Sequence, residues 1–378
     1  MLFGLFFGAG NLIFPIYMGQ LAGKNVWQAI IGLIITGVGL PLLGVAAIGI
    51  SRSDGLIELS GKVGKGYSVF FTCALYLAIG PGLAIPRCAT VPYTVGVEPL
   101  FGKNADQPVF LALFSLAFFA AVLAFSLFPG KILTWVGKIL NPLFLVFLAA
   151  LVIAAVINPA GSAANAAPSG DYASKPFIAG FLEGYNTMDA LASLAFGIVV
   201  VNVIRGLGIT SPGSVAKNTV RSGIFSCAIM AVIYIAVTLV GAQSGSIAAD
   251  CQNGGQVFAR VAKHYFGSAG AVILAVMFTF ACLKTAVGLV TSCSETFCQL
   301  FPKALPYKAW AVIFSGASFL IANLGLNSIM ACSVPVLMFL YPLAITLILL
   351  GLFGNLFGHN RYVYVFVTGF TLISAVFD

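Results

Sequence analysis

The sequence predicts an all-α, polytopic membrane protein, and its composition is the first observation that does so. Of 378 residues, 60% are hydrophobic and 7% are charged, and the mean hydropathy is +1.07. A soluble domain carries about 25% charged residues, and single soluble cores stop growing beyond roughly 250–300 residues. Because no soluble core would hide this much apolar surface, lipid is the expected solvent.

The second observation is that the apolar residues occur in runs, eleven of which qualify or nearly qualify as membrane spans. A spanning helix needs about 20 mostly apolar residues. The runs cover residues 2–22, 26–50, 67–97, 108–128, 132–157, 175–204, 222–244, 267–297, 309–323, 329–352 and 361–377. The longest connection, residues 158–174, is predicted to be an exposed loop. Residues 250–266 are more polar, and we expect a short surface helix there.

The distribution of basic residues predicts the orientation. If the N-terminus is cytoplasmic, the inside loops hold eleven Lys and Arg residues and the outside loops hold five. Cytoplasmic loops carry the excess of basic residues in membrane proteins, so the N-terminus is predicted to lie inside. An apolar run begins at Met1 and another ends just before Asp378, which predicts a chain trimmed at both ends.

Two runs are interrupted at their centres. Run 1 contains Gly8–Asn11 (GAGN), and run 6 contains Gly184–Asp189 (GYNTMD). Backbone groups that are freed at membrane depth must find partners. Broken spans at matching positions of two five-helix units are typical of inverted-repeat transporters, which bind substrate between the breaks. The alternative for a single break is a kink that allows close helix packing.

Three motifs carry a resemblance to a known family. Phe6–Pro15 (FFGAGNLIFP), Gly180–Ala192 (GFLEGYNTMDALA) and Ala281–Leu289 (ACLKTAVGL) resemble the first-, sixth- and eighth-helix signatures of the branched-chain amino acid transport system II carriers. The similarity covers essentially the whole chain. It implies a leucine-transporter-like fold of five plus five helices, with broken helices 1 and 6.

The resemblance also implies the domain organisation and the function. The expected units are a first repeat at residues 1–157, a second at 175–352 and an additional transmembrane helix at 361–378, in one membrane domain. Family members reside in the bacterial inner membrane, have about twelve helices and a cytoplasmic N-terminal tail, and import leucine, isoleucine and valine with Na⁺ or H⁺. The tail and a final helix are therefore predicted to be missing here.

The break in run 1 supplies the first predicted binding residues. By the resemblance, the backbone groups of Gly8, Ala9 and Gly10 hold the carboxylate and amine of the substrate, because a residue without a side chain lets a ligand approach closely. Asn11 would offer its oxygen to a cation or its NH₂ to the carboxylate. The alternative for Asn11 is a hydrogen bond that joins two helices.

The break in run 6 supplies the second set. Tyr185, Asn186 and Thr187 are predicted to close the pocket around the substrate. A charge within a membrane run is costly and usually functional. Asp189 is therefore expected to contact the substrate amine, carry a coupling proton or hold the break open, and Glu183 is a weaker candidate for the same roles. Arg87, which follows Pro86 in the third run, is expected to pair with an acidic residue.

Run 8 supplies the predicted coupling site. In the leucine-transporter fold, hydroxyl groups of helix 8 and carbonyl groups of helix 1 form a sodium site, and the resemblance places Lys284 and Thr285 at the hydroxyl pair. The Lys284 ammonium would meet the carbonyls near Gly4 and Phe7, which predicts weaker Na⁺ dependence and coupling to H⁺. The alternatives are that Lys284 reaches the membrane surface or pairs with an acid such as Asp189.

Other classes of protein fit less well. A membrane enzyme would need a catalytic cluster at depth, and neither His264 nor His359 has a carboxylate at helical spacing within a run. A channel would need a repeated filter or a ring of like charges, and the sequence shows neither. A carrier of another neutral amino acid or a nucleobase remains the alternative. We predict no cofactor except a coupling Na⁺, and no nucleic-acid or obligate protein partner.

Overall fold

This computed structural model describes the chain except residues 1–2, 4–6, 9, 52, 54, 102–106, 129–130, 207, 210 and 378. For residues 100–101, 107, 131–141, 197–203, 205 and 212 it describes the backbone alone.

All regular structure in the described ranges is helical. In chain order the α-helices are α1 (Gly10–Ala22), α2 (Val26–Ile34), α3 (Leu40–Ile50), α4 (Leu56–Gly61), α5 (Lys65–Leu77), α6 (Ala84–Pro92), α7 (Glu98–Phe101), α8 (Gln107–Leu127), α9 (Lys131–Ile157), α10 (Asp171–Ser174), α11 (Pro176–Asn186), α12 (Asp189–Gly206), α13 (Pro212–Gln243), α14 (Gly245–Ala248), α15 (Gly254–Leu300), α16 (Tyr307–Ala322), α17 (Leu326–Phe353) and α18 (Arg361–Phe377). A π-helical turn, Ile35–Gly39, joins α2 to α3, and another, Ala78–Gly82, follows α5.

Helices occupy all eleven predicted runs, which confirms the all-α prediction. Among the described residues, six helical segments are long and apolar enough to span a membrane: Gly10–Ile50, Lys65–Val97, Pro108–Leu127, Gly213–Gln243, Gly254–Leu300 and Leu326–Phe357. Shorter apolar helices cover Pro142–Ile157, Tyr307–Ala322 and Arg361–Phe377. The expected short helix forms as the first part of α15, with Arg260 and Lys263 exposed but Val257 and Phe258 buried against the bundle. A left-handed glycine, Gly267 (φ 63°), separates it from the membrane run.

Both predicted breaks are present. Phe7 and Gly8 are not helical, and α1 begins only at Gly10. In run 6, α11 ends at Asn186 and α12 begins at Asp189, and Met188 between them has a left-handed backbone (φ 61°). Such a backbone is unusual for a residue other than glycine, and it turns the chain sharply between the two half-helices.

Glycines bring the broken helices against their neighbours. A Cβ at Gly19 of α1 would collide with the carbonyl of Thr238 on α13, and one at Gly180 of α11 would collide with the carbonyl of Ala29 on α2. Small residues allow this backbone contact between membrane helices. Each broken run therefore packs along the second helix of the opposite five-helix unit, as expected for the inverted repeat.

Candidate functional site

The breaks of runs 1 and 6 lie against each other. A Cβ built on Gly10 would be 3.7 Å from the Thr187 carbonyl oxygen. A Cβ on Gly8 would be 3.7 Å from Thr285 Cγ2 on α15. The three motifs that carry the family resemblance therefore meet at one place in the interior of the bundle.

A hydrogen-bonded triad joins the two breaks. Asn11 Nδ2 donates to Asp189 Oδ2 at 2.7 Å and to the Tyr234 hydroxyl at 2.5 Å, and that hydroxyl donates to the same Asp189 oxygen at 2.5 Å. All three side chains are buried. Because its three members come from α1, α12 and α13, the triad ties these helices together.

The half-helix ends favour the charges that lie beside them. Asp189 is the first residue of α12, where exposed N–H groups and the helix dipole stabilise an anion. Arg87 Nη1 donates a 2.9 Å hydrogen bond to the Asn186 carbonyl at the last residue of α11. A cation is favoured at that end for the same reason. The break of run 6 thus lies between a positive and a negative side chain.

Arg87 on α6 contacts both α1 and the break of run 6. Its guanidinium carbon lies 5.1 Å from the centre of the Phe14 ring on α1, and its Nη2 donates to Met188 Sδ at 2.9 Å. A distorted backbone precedes this helix, with a π-helical turn and Pro81 before α6 and Pro86 within it. Arg87 forms no ion pair with any acidic residue that the structure describes.

A cavity of about 520 Å³ leads to the run 6 break from the side of residues 158–174. Ligand sites typically have about 300–1,000 Å³. Its polar wall includes Glu183 and Asn186, whose side chains form a 3.2 Å hydrogen bond. Tyr185 lines the cavity and stacks on Tyr341 of α17, with ring centres 3.9 Å apart. Asp171 lines the cavity on the side of the loop, and an apolar wall is formed by Leu21, Leu182, Val334, Leu337 and Met338.

The two predicted coupling residues on α15, Lys284 and Thr285, point in different directions. Thr285 Oγ1 donates to the Ala281 carbonyl and faces Gly8, so its lone pairs remain available to a cation. Lys284 is half-buried and makes no hydrogen bond or ion pair with any described residue. The contact of its ammonium with the Phe7 carbonyl is therefore not formed here, because consecutive helix positions point about 100° apart. The pairing with Asp189 is not formed either.

The other predicted site residues can be placed as follows. Gly8, Gly10, Asn11, Thr187 and Asp189 meet where the breaks touch, and Tyr185 and Asn186 lie between that point and the cavity. Gly4 and Ala9 lie outside the described residues. Asn11 forms the helix-joining bonds that were its alternative reading, and its Oδ1 accepts from the Gly8 N–H at 2.8 Å. Binding roles for these residues stay predictions, as do the repeat boundaries.

Sequence reasoning missed the parts played by Arg87, Tyr234 and Tyr341. The sequence did carry a signal for Arg87, since a charge within a membrane run is usually functional. Its partner was expected to be an acidic residue, but it is a backbone carbonyl. Buried tyrosine hydroxyls usually find a hydrogen-bond partner. Nothing near Tyr234 in the sequence indicates that its partners are Asn11 and Asp189, and nothing near Tyr341 indicates that its ring stacks on Tyr185.

Solved structures share this arrangement of helices. Mhp1, a nucleobase-cation-symport-1 family transporter in a closed conformation with bromovinylhydantoin bound, matches 92% of this chain and 76% of its own with a TM-score of 0.65 at 15% identity. MhsT in complex with L-phenylalanine matches 99% of this chain and 97% of its own with a TM-score of 0.62 at 15% identity. The chain therefore has a leucine-transporter-like fold, with its two helix breaks facing each other.

The chain belongs to the family of branched-chain amino acid transport proteins, which matches residues 1–378. It is 53% identical to the branched-chain amino acid permease BrnQ of Lactobacillus delbrueckii subsp. lactis, over 100% of this chain and 85% of that protein. It is 43% identical to the branched-chain amino acid transport system 2 carrier protein of Pseudomonas aeruginosa, with the same coverage. The family and these relatives are transport proteins rather than enzymes, and the family expected from the three motifs is confirmed.

Proposed function

We propose that this protein imports leucine, isoleucine and valine by alternating access, driven by a gradient of Na⁺ or H⁺. The proposal rests on family membership and on the contact between the two helix breaks, where Asn11 bonds to Asp189. Non-helical backbone at membrane depth is tolerated only where it is buried in protein or lines a cavity. The breaks are therefore both the binding place and the points at which half-helices change direction.

The substrate site is proposed between the breaks and the cavity beside them. The ammonium group of an amino acid would approach Asp189, which carries the negative charge closest to the run 6 break. The aliphatic side chain would lie against Tyr185 and the apolar wall of the cavity. An apolar wall with a few convergent polar groups is the usual composition of a small-molecule site.

The coupling site is proposed where Gly8 faces Thr285. A threonine hydroxyl oxygen and carbonyls freed by the break are oxygen donors of the kind that Na⁺ and other hard cations bind. Lys284 is next to this place in the sequence, and its ammonium would weaken Na⁺ binding there by repulsion. The basic loop residues favour a cytoplasmic N-terminus, and the proposed location is the bacterial inner membrane.

Leucine uptake into proteoliposomes tests the proposal. The full-length protein is reconstituted, and Na⁺ and H⁺ gradients are imposed separately. Uptake driven by Na⁺ supports a sodium symporter, and uptake driven only by H⁺ supports proton coupling. Competition by isoleucine and valine, but not by phenylalanine or uracil, is expected. Absence of leucine uptake under either gradient would contradict the proposal and favour the neutral amino acid or nucleobase alternative.

A further inference from the structure

Arg87 is a buried cation with an incomplete set of partners. It is 5% exposed, and two of its five donors are used by described residues. One donor meets the Asn186 carbonyl, but the other meets the thioether sulfur of Met188, which is a weak acceptor. A buried charge is costly unless it is paired. An anionic acceptor would therefore bind the guanidinium more strongly than the Met188 sulfur does.

A second donor without a partner lies close by. The Tyr341 side chain is fully buried, and its O–H meets no hydrogen-bond acceptor among the residues that the structure describes, whereas the backbone N–H of Ala190 lies beside its oxygen. Its ring stacks on Tyr185, which lines the cavity beside the run 6 break. Buried polar atoms without a partner are rare in native proteins and require an explanation. A ligand oxygen would satisfy this hydroxyl and the guanidinium together.

One of the backbone donors expected from the sequence is already engaged. The Gly8 N–H, which the family resemblance assigns to the substrate carboxylate, donates to Asn11 Oδ1 in this structure. The side of the site that carries the free positive charge is the run 6 side, where Arg87 bonds to Asn186. Asn186 also lines the cavity through which a solute would arrive.

We propose that Arg87 binds the carboxylate of the transported amino acid, with Tyr341 as a second donor. The proposal rests on the function proposed above and assigns one residue within it. A guanidinium matches a carboxylate with two parallel hydrogen bonds, and the carboxylate would displace Met188 Sδ. The zwitterion then spans the break, with its carboxylate toward Arg87 at the end of α11 and its ammonium toward Asp189 at the start of α12.

The test compares leucine with leucinamide, which keeps the amine and side chain but lacks the carboxylate. Inhibition constants of both are measured by competition with radiolabelled leucine on the purified full-length protein. In the wild type leucinamide should bind much more weakly than leucine. In Arg87→Gln the inhibition constant of leucinamide divided by that of leucine should fall by about 10- to 100-fold, because a charge-assisted pair is lost only for leucine. Tyr341→Phe should lower the ratio by a smaller factor.

A purely structural role for Arg87, capping the end of α11, predicts a different result. Both ligands would then weaken equally in Arg87→Gln, and an unchanged ratio would overturn the proposal, as would a wild type that does not discriminate. If Arg87→Gln does not fold, the same ratio of inhibition constants is measured in Arg87→Lys. Arg260→Gln removes an exposed arginine paired with Asp250 and serves as the control with an unchanged ratio. A wild type without leucine-induced thermal stabilisation would refute the proposed function itself, before any variant is compared.

Discussion

Asn11 Nδ2 and Asp189 Oδ2 are joined by a 2.7 Å hydrogen bond across 178 residues of sequence, and this bond connects the first turn of α1 to the first residue of α12. Each partner follows a break in its own run. The bond therefore holds together the two half-helices whose separation would open the site. Tyr234 bonds to both partners and links them to α13.

Removing the charge of this bond should impair both stability and transport. We expect Asp189→Asn to lower the free energy of unfolding by about 1–3 kcal/mol, because two buried donors lose their charged acceptor. Leucine uptake should fall strongly. Thermal unfolding in detergent and proteoliposome uptake measure the two effects. Glu295→Gln, at an exposed carboxylate in α15, is the matched control and should change neither quantity.

Exchanging the two groups should restore part of the loss. Asn11→Asp combined with Asp189→Asn keeps one carboxylate and one amide in contact. The double variant should lose less free energy of unfolding than the two single variants lose together, since residues in direct contact are coupled. Strict additivity in the same unfolding assay would show that the bond does not stabilise the fold.

The glycine contacts between α1 and α13 should not accept a methyl group. Gly19→Ala places a methyl against the Thr238 carbonyl, and the helices must separate. We expect a loss of about 1–3 kcal/mol in the free energy of unfolding, as for an overpacked core. Gly288→Ala on α15 is the control, because its Cβ meets no atom within 4 Å. It should be neutral or stabilising by up to about 1 kcal/mol.

An interhelical hydrogen bond at the π-helical turn offers a smaller test. Thr36 Oγ1 donates to the Phe181 carbonyl at 2.7 Å and so joins run 2 to α11. Thr36→Val should cost about 0.6–1.7 kcal/mol, the usual range for such bonds in membrane proteins. In Thr279→Val the lost bond is internal to α15, at 2.8 Å to Ala275. An equal effect of the two substitutions on thermal unfolding would argue against a special role for Thr36.

The Na⁺ response should depend on α15. If the cation binds beside Gly8, Thr285→Val should raise the Na⁺ concentration for half-maximal leucine uptake by about tenfold or more, because one oxygen ligand is lost. Lys284→Thr should increase the response to Na⁺ by removing a nearby positive charge. A Na⁺ response that is the same in wild type and Lys284→Thr would exclude a part for this lysine in coupling.

Much of the fold was predictable because its signals are local. A run of about 20 apolar residues forms a membrane helix whatever its neighbours are, and Gly8, Gly10 and the polar residues before Asp189 break such a run where they stand. The predicted breaks are therefore found at Phe7–Gly8 and Thr187–Met188. The short helix before Gly267 was predictable for the same reason.

The details of the site were less predictable because they depend on helix rotation and long-range contact. Lys284 and Thr285 are neighbours in the sequence, but Thr285 is the residue that faces Gly8. Arg87 was expected to pair with an acid, and its bond instead goes to a carbonyl 99 residues away. Side-chain partners at such separations leave no periodic pattern in a single sequence.

The sequence by itself determined the all-helical membrane class, the positions of the breaks and, through three motifs, the family, because hydropathy and glycine content act within one segment. Only the tertiary structure decided that the two breaks touch, that Asn11, Asp189 and Tyr234 share hydrogen bonds, and that Arg87 lies at the end of α11. These contacts follow from how α1, α6, α12 and α13 pack, and packing is a property of the whole bundle.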